Sequence, residues 1–219
     1  MSHFRRNWLV PLLLLLLGSL NILFGALRLD ALIQGRPDIP NDTMHYFDAP
    51  IPITSHIVFG ILLNLLGPLQ FAPILRKRYL GFHRWSGRLL LLSGLVVAIS
   101  GLWMNHYFPP YGGVLKYSGI ATYSLAMMLA FVLAILAVRK GNITAHRAWM
   151  MRAIAIGLAP ATQRVFIIPI FIATGIPNDL TIGLVIWWGL LLNLGVVEWN
   201  LWQKRGRPSL QKATYAIAE

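Results

Sequence analysis

The sequence contains no cysteine and only seven aspartate and glutamate residues among 219. The lack of cysteine excludes disulfides, thiolate metal sites and catalysis by a thiol. Carboxylates are scarce in the apolar segments and no closely spaced His-Glu motif occurs, which argues against a zinc or nucleophilic enzyme. Charged residues make up 12% of the chain, whereas soluble domains carry about 25%. The low charged fraction argues against a soluble protein.

Long apolar runs occupy most of the chain, and 57% of the residues are hydrophobic. A membrane-spanning helix needs roughly 20 apolar residues, and six stretches meet that requirement. We therefore expect an all-α, polytopic membrane protein with a single six-helix domain over residues 1–203 and a basic cytoplasmic tail over 204–219. The predicted spans are residues 8–28, 52–75, 85–104, 117–138, 149–171 and 181–202.

The placement of the cations predicts how the chain is oriented. Lysine and arginine gather at one side of the predicted spans, as at Arg76, Arg139 and Lys204, whereas Asp30 and Asp179 fall on the other side. The positive-inside bias puts both termini in the cytoplasm, in a multi-pass protein of the bacterial inner (cytoplasmic) membrane. The net charge of +12 then reflects topology and attraction to anionic lipid headgroups, and we expect no nucleic-acid partner.

Two similar phrases mark the inner ends of two spans. They are His83-Arg84-Trp85-Ser86-Gly87-Arg88 and His146-Arg147-Ala148-Trp149-Met150-Met151-Arg152. Each follows a span that ends in cations, so the pattern is consistent with a parallel duplication of a two-helix hairpin. Their arginines are candidates for binding anions or lipid headgroups, namely Arg84, Arg88, Arg147 and Arg152.

These phrases also carry a family resemblance. Together with His56, Gly60 and Gly67-Pro68-Leu69-Gln70-Phe71, they resemble an uncharacterised bacterial membrane-protein family, domain of unknown function 2306, over roughly Ser55 to Arg164. The resemblance implies a helical membrane fold. It implies no reaction, so the chemistry has to be argued from the residues.

Four histidines fall into two pairs by their depth in the predicted helices. His56 and His106 lie toward the outer side, and His83 and His146 lie at the inner border. A b-type haem takes one imidazole from each of two facing helices, and arginines such as Arg164 bind its propionates. The four histidines are therefore candidate haem-iron ligands. The alternative is that histidine and arginine at a membrane border anchor a helix at the headgroups.

Arg164 is the strongest polar outlier, because it lies within the fifth span beside Gln163. An ionisable group at such depth costs at least about 2.5–3.5 kcal/mol and indicates a functional site. His56 and Asn64 share one predicted helix face, which we expect to point into the bundle. We expect these four residues to form an outer-half site with an anion on Arg164: a ligand's phosphate or carboxylate, a haem propionate, or Asp48.

Glu198 near the inner end of the sixth span is a second polar outlier. We expect it to pair with an arginine on the cytoplasmic side.

Three classes of function remain open at this point. The first is a haem-binding redox or electron-transfer protein, with a quinone as one candidate partner. The second is a cofactor-free transporter or binding protein for a small anion or a lipid. The third is a structural or assembly subunit that partners another membrane protein. The sequence assigns no catalytic residue.

Overall fold

The computed structural model describes residues 3–35, 44–108 and 112–205, and within these ranges every regular element is a helix. The helices are α1 (His3–Gln34), α2 (His45–Asp48), α3 (Pro50–Leu69), α4 (Pro73–Arg78), α5 (Leu80–Tyr107), α6 (Gly113–Arg139), α7 (Ile143–Thr174) and α8 (Asp179–Arg205). Helices α1, α3, α5, α6, α7 and α8 are long and apolar enough to cross a membrane. The prediction of six transmembrane helices is confirmed.

The helix ends follow local signals in the sequence. Proline stands at the start of α3 and of α4, where its missing N–H costs no hydrogen bond. Helix α7 begins after Asn142, whose side-chain oxygen accepts a hydrogen bond from the Ala145 backbone N–H at 2.9 Å. The same helix ends at Gly175, which has a φ of 79° and adopts it without a Cβ penalty.

Two features differ clearly from the predicted spans. The second predicted span reaches residue 75, but α3 ends at Leu69 and Pro73 starts a separate helix. Helix α5 begins at Leu80, so His83 and Arg84 belong to its first turns. The predicted cytoplasmic tail lies outside the described residues from residue 206 onward, as do residues 36–43 and 109–111.

The six long helices run alternately up and down, which gives the bundle two distinct ends. We call the end with α4 and the α6–α7 connection the basic end, because it carries Arg76, Arg84, Arg139 and Arg147. The other, with α2 and the α5–α6 and α7–α8 connections, is the distal end. Which end faces the cytoplasm and whether the hairpins arose by duplication both stay predictions.

The core lies where α5, α6 and α7 meet, with α3 and α8 packed outside them. Phe131 and Leu90 are fully buried there, and Ile154 is 2% exposed. A Cβ atom on Gly94 would overlap the ring of Phe131, so Gly94 allows α5 and α6 to approach closely. Helix α1 packs against α3 and α7, and many of its leucines face outward.

We predict that Gly94→Ala lowers the free energy of unfolding by about 1–3 kcal/mol, the usual cost of overpacking a core. Gly195→Ala in α8 is the control, since a Cβ there meets no atom within 4 Å and alanine is the better helix former. The measurement is the melting temperature of each purified variant in the same detergent. Equal melting temperatures for the two variants would contradict this account of the core.

Candidate functional site

A cavity of about 310 Å³ lies among α1, α3, α5 and α7. Its polar lining comes from Asn21, Arg28, His56, Asn64 and Arg164. Asn21 lies near the middle of α1, Arg28, His56 and Arg164 lie in the distal halves of their helices, and Asn64 lies in the basic half of α3. Arg164, for example, lies roughly 15 Å along the helix axis from the end of α7 at Thr174. The cavity is therefore within the membrane-spanning part of the bundle.

Helical periodicity gathers these side chains into one place. On α3, His56 and Asn64 stand two turns apart on one face, with Gly60 between them. Helix α7 presents Pro160 and Arg164 one turn apart to the same space. The structure thus brings three of the four residues expected at the outer site, His56, Asn64 and Arg164, to one cavity.

A chain of hydrogen bonds crosses three helices at the cavity wall. Nη1 of Arg164 donates to Oδ1 of Asn21 on α1. Nδ2 of Asn21 donates to Oδ1 of Asn64 at 2.9 Å, and Nδ2 of Asn64 donates to the Gly60 carbonyl at 2.8 Å. Both amides use their oxygen as acceptor and their nitrogen as donor, so the chain is satisfied along its length.

Neutral groups, and no carboxylate, hold Arg164 among the described residues. Besides Asn21, its Nη1 donates to the Pro160 carbonyl at 3.1 Å, and its guanidinium carbon lies 5.3 Å from the ring centre of Phe24. Asp48, one of the expected partners, makes no ion pair with it. The guanidinium is planar and has five N–H donors. Nε and Nη2 make no hydrogen bond to any described residue, and neither atom is fully enclosed.

Arg152, on the same helix, shows what the same edge of a guanidinium does when a carboxylate is present. Its Nε and Nη2 donate to the two oxygens of Glu198 at 2.6 and 2.9 Å, and its guanidinium lies 4.5 Å from the Trp149 ring centre. The expected partnership of Glu198 with a basic-end arginine is confirmed. Arg152 is therefore engaged by protein, whereas the matching edge of Arg164 remains open to the cavities.

His56 is fixed by a neighbouring serine. Its Nδ1 lies 3.0 Å from Oγ of Ser100, and Ser100 donates its own hydrogen to the Val96 carbonyl at 2.6 Å. Ser100 therefore accepts from His56, which puts the proton of the neutral ring on Nδ1. Nε2 makes no hydrogen bond to a described residue and is not fully enclosed. Since His56 lines the cavity, we infer that Nε2 offers it a lone pair.

Gln163 points away from this cavity. Its Nε2 donates to the Tyr123 hydroxyl, which in turn donates to the Ile186 carbonyl at 2.8 Å. These bonds join α7 to α6 and α8. Gln163 lines a second cavity instead, of about 460 Å³, which also contains Arg164.

The outer pair of histidines is not brought together. His106 lies near the distal end of α5, where its Nδ1 is 3.2 Å from the Tyr117 hydroxyl of α6. Of the four candidate histidines, only His56 lines the cavity. A bis-imidazole haem needs two facing imidazoles, so these residues do not fit that cofactor in the cavity. Nor do the described residues contain a group of three or more histidines and carboxylates that could hold a metal ion.

The inner pair lies at the basic end, in a cluster of cations that joins the two repeated phrases. His83 is within electrostatic range of His146, Arg76 and Arg84. Partial burial, with a smaller contribution from nearby Arg147, lowers the pKa of Arg76 below its usual range.

The hydrogen bonds made by the two repeated phrases are structural. His146 donates from Nδ1 to the Ala134 carbonyl at 2.9 Å, tying α7 to α6. Ser86 of the first phrase accepts from Gln70 at 2.9 Å, tying α5 to the end of α3. Neither His83 nor His146 lines the cavities described here, so the geometry gives the haem interpretation no support.

Two residues that line the cavity were not among the site residues predicted from the sequence. Asn21 was visible as the only strongly polar side chain near the middle of the first span, but nothing in the sequence indicated its partners. Arg28 was assigned to the end of that span; in the structure it lines the cavity, and its guanidinium lies 5.2 Å from the Tyr46 ring centre.

We predict that Asn21→Ala destabilises the protein by about 1–2 kcal/mol, because it removes an interhelical hydrogen bond and leaves the Nη1 donor of Arg164 with one acceptor fewer. Ser19→Ala is the matched control on α1, since the Ser19 hydroxyl bonds only its own helix at the Leu16 carbonyl. Melting temperatures in detergent measure the difference. A loss for Ser19→Ala as large as that for Asn21→Ala would show that the chain of bonds contributes nothing specific.

Comparison with known proteins identifies a family. A family model described as "Predicted membrane protein (DUF2306)" matches residues 53–202. The matched range includes most of α3 and reaches into α8, and α1 lies outside it. No curated protein and no solved structure matches the chain.

Proposed function

The chain belongs to the DUF2306 family of predicted membrane proteins, a description that names no reaction, and we propose from the cavity that it binds a carboxylate or phosphate group within the membrane. The ligand's oxyanion meets the open Nε and Nη2 edge of Arg164. Binding is the step that a carrier and a lipid-binding protein share, so the proposal holds for either. It requires no cofactor.

The observation that carries the proposal is the contrast between Arg164 and Arg152. Both belong to α7. Arg152 binds a carboxylate through Nε and Nη2, whereas the same two atoms of Arg164 have no hydrogen-bond partner among the described residues. Two oxygens of a carboxylate or of a phosphate match this edge with two parallel, charge-assisted hydrogen bonds. A buried cation whose N–H donors lack acceptors in the protein is best stabilised by an anionic ligand.

The rest of the cavity supports the same class of ligand. Arg28 adds a second guanidinium to the wall, and no carboxylate lines the cavity among the residues that the structure describes. His56 offers an acceptor at Nε2, which suits a ligand that also carries a hydroxyl or a protonated oxygen. The cavity therefore combines positive charge with one hydrogen-bond acceptor.

We propose in addition that the six helices form one domain in a bacterial inner membrane, with both termini on the cytoplasmic side. The cations at the basic end support this orientation. It would open the anion site toward the outer leaflet, because the cavity occupies the middle and distal half of the bundle.

Arg164→Gln should weaken oxyanion binding about 10- to 100-fold, since a charge-assisted bond contributes about 1.5–3 kcal/mol. The protein is placed in phosphatidylcholine nanodiscs. One arm adds inorganic phosphate or butyrate, and the other adds phosphatidylglycerol to the disc. Thermal stabilisation reports binding in the first arm, and retained lipid by native mass spectrometry reports it in the second. The two arms separate a free anion from a lipid headgroup.

Two further variants control this experiment. Arg78→Gln removes an exposed guanidinium at the basic end and should leave the binding of phosphate and butyrate unchanged. Arg164→Lys keeps the charge without the planar fork and should give an intermediate loss, which remains informative if Arg164→Gln fails to fold. The proposal is wrong if neither arm gives binding to the wild-type protein, or if the Arg164 variants bind as the wild type does.

A second site is favoured by the cation cluster at the basic end. Arg76, Arg84 and Arg147 come from three helices, and His83 among them has an enclosed Nδ1 without a hydrogen-bond partner in the described residues. Such a cluster suits the phosphate of an anionic lipid headgroup at the membrane surface. Arg88 lies one turn beyond Arg84 and belongs to the same proposed surface. Arg152 does not, because Glu198 occupies it.

The double variant Arg76→Gln/Arg147→Gln should reduce phosphatidylglycerol retention by up to roughly 30-fold, since each juxtamembrane cation contributes about 1 kcal/mol. The charge-matched control is Arg139→Gln/Lys140→Gln, which removes two exposed cations of the same end. Native mass spectrometry at several salt concentrations compares the two. Equal losses would mean a diffuse attraction and no defined headgroup site.

A further inference from the structure

The second cavity has a more apolar lining than the first, with two polar residues, Gln163 and Arg164, against five. It lies along α7 and α8, with Phe24 of α1 at its border, and most of its lining is apolar. Ile167, Ile168 and Phe171 contribute from α7, and Ile182 and Val185 contribute from α8. It follows α7 from Arg164 to Phe171, a distance of roughly 10 Å along the helix.

The two cavities share one boundary. Phe24, Pro160 and Arg164 line both of them, so the guanidinium stands between a polar space and an apolar one. The ring centre of Phe24 lies 5.3 Å from the guanidinium carbon, and the same residue lines the apolar cavity. A single molecule bound at Arg164 therefore meets charge and amide groups in one direction and hydrocarbon in the other.

We propose that the ligand of this site is an anionic amphiphile with one hydrocarbon chain, held with its carboxylate or phosphate at Arg164 and its chain in the second cavity. This inference rests on the proposed oxyanion site and names the class of molecule that uses it. A free inorganic anion would fill only the polar cavity. An uncharged lipid would fill only the apolar one and leave the donors of Arg164 unmatched.

The arrangement also gives a reason why the apolar cavity begins at a charged residue. A groove used only by the surrounding lipids has no need of a guanidinium at its head, because a buried cation is costly in an apolar bundle. The amide of Asn21 and the carbonyl of Pro160 occupy Nη1 and so orient the guanidinium. The remaining edge is left for the ligand's head.

The test compares three probes in phosphatidylcholine nanodiscs: dodecanoate, butyrate and dodecanol. Dodecanoate carries both a long hydrocarbon chain and a negative charge. Butyrate has the charge without the long chain, and dodecanol has the chain without the charge. We expect dodecanoate to bind, butyrate to bind more weakly, and dodecanol to show no saturable binding. Thermal stabilisation at increasing probe concentration gives the affinity of each.

Val185→Trp fills the apolar cavity from α8. It should weaken dodecanoate binding at least tenfold and leave butyrate binding unchanged. Leu184→Trp is the matched control, because Leu184 is its neighbour on α8 and is 54% exposed; it should change neither. Ile168→Trp fills the cavity from α7 and replaces Val185→Trp if that variant does not fold. Arg164→Gln should weaken the binding of both dodecanoate and butyrate.

The outcomes separate the two proposals. Suppose that butyrate and dodecanoate bind equally well and that the tryptophan variants change neither affinity. The oxyanion-site proposal then stands, and the amphiphile proposal is wrong. If no carboxylate binds the wild type, or Arg164→Gln has no effect, both are wrong. Saturable binding of dodecanol with the affinity of dodecanoate would also overturn the amphiphile, since the charge would then be irrelevant.

Discussion

A guanidinium within an apolar bundle has to be held by polar groups, and here the amide of Asn21 is the link on which the arrangement depends. It accepts from Arg164 on α7 and donates to Asn64 on α3, so three helices are joined through one side chain. The close approach of α1 to α3 is possible because Gly18 lies directly against Asn64. This network provides acceptors for one terminal nitrogen of Arg164 and leaves the Nε and Nη2 edge accessible.

Much of this framework was predictable from the sequence because it depends on regular periods. The apolar runs predicted six helices, and the 3.6-residue repeat put His56 and Asn64 on one face. Arg164 was identifiable because a charge inside an apolar run is unusual, whatever its partner. The pairing of Glu198 with a basic-end arginine followed from depth, since both residues had to lie at the same level of the bundle.

The rest depends on how helices are rotated and spaced against each other, which a single sequence does not encode locally. His56 and His106 have similar predicted depth, but one faces Ser100 and the other faces Tyr117 of a different helix. Gln163 adjoins Arg164 in sequence and points about 100° away around the helix, toward Tyr123. The depth of a side chain in the bundle could be read from the sequence, but the neighbouring helix that it faces could not.

Helix α1 lies outside the range that the family model matches, although it contributes to both cavities. It supplies the acceptor for Arg164 and the Phe24 ring that borders the apolar space. The chemistry of the cavity is thus divided between a family-defining bundle and one flanking helix on its surface. A change confined to α1 would therefore alter the acceptor at Arg164 and the border of the apolar space without altering any residue in the matched range.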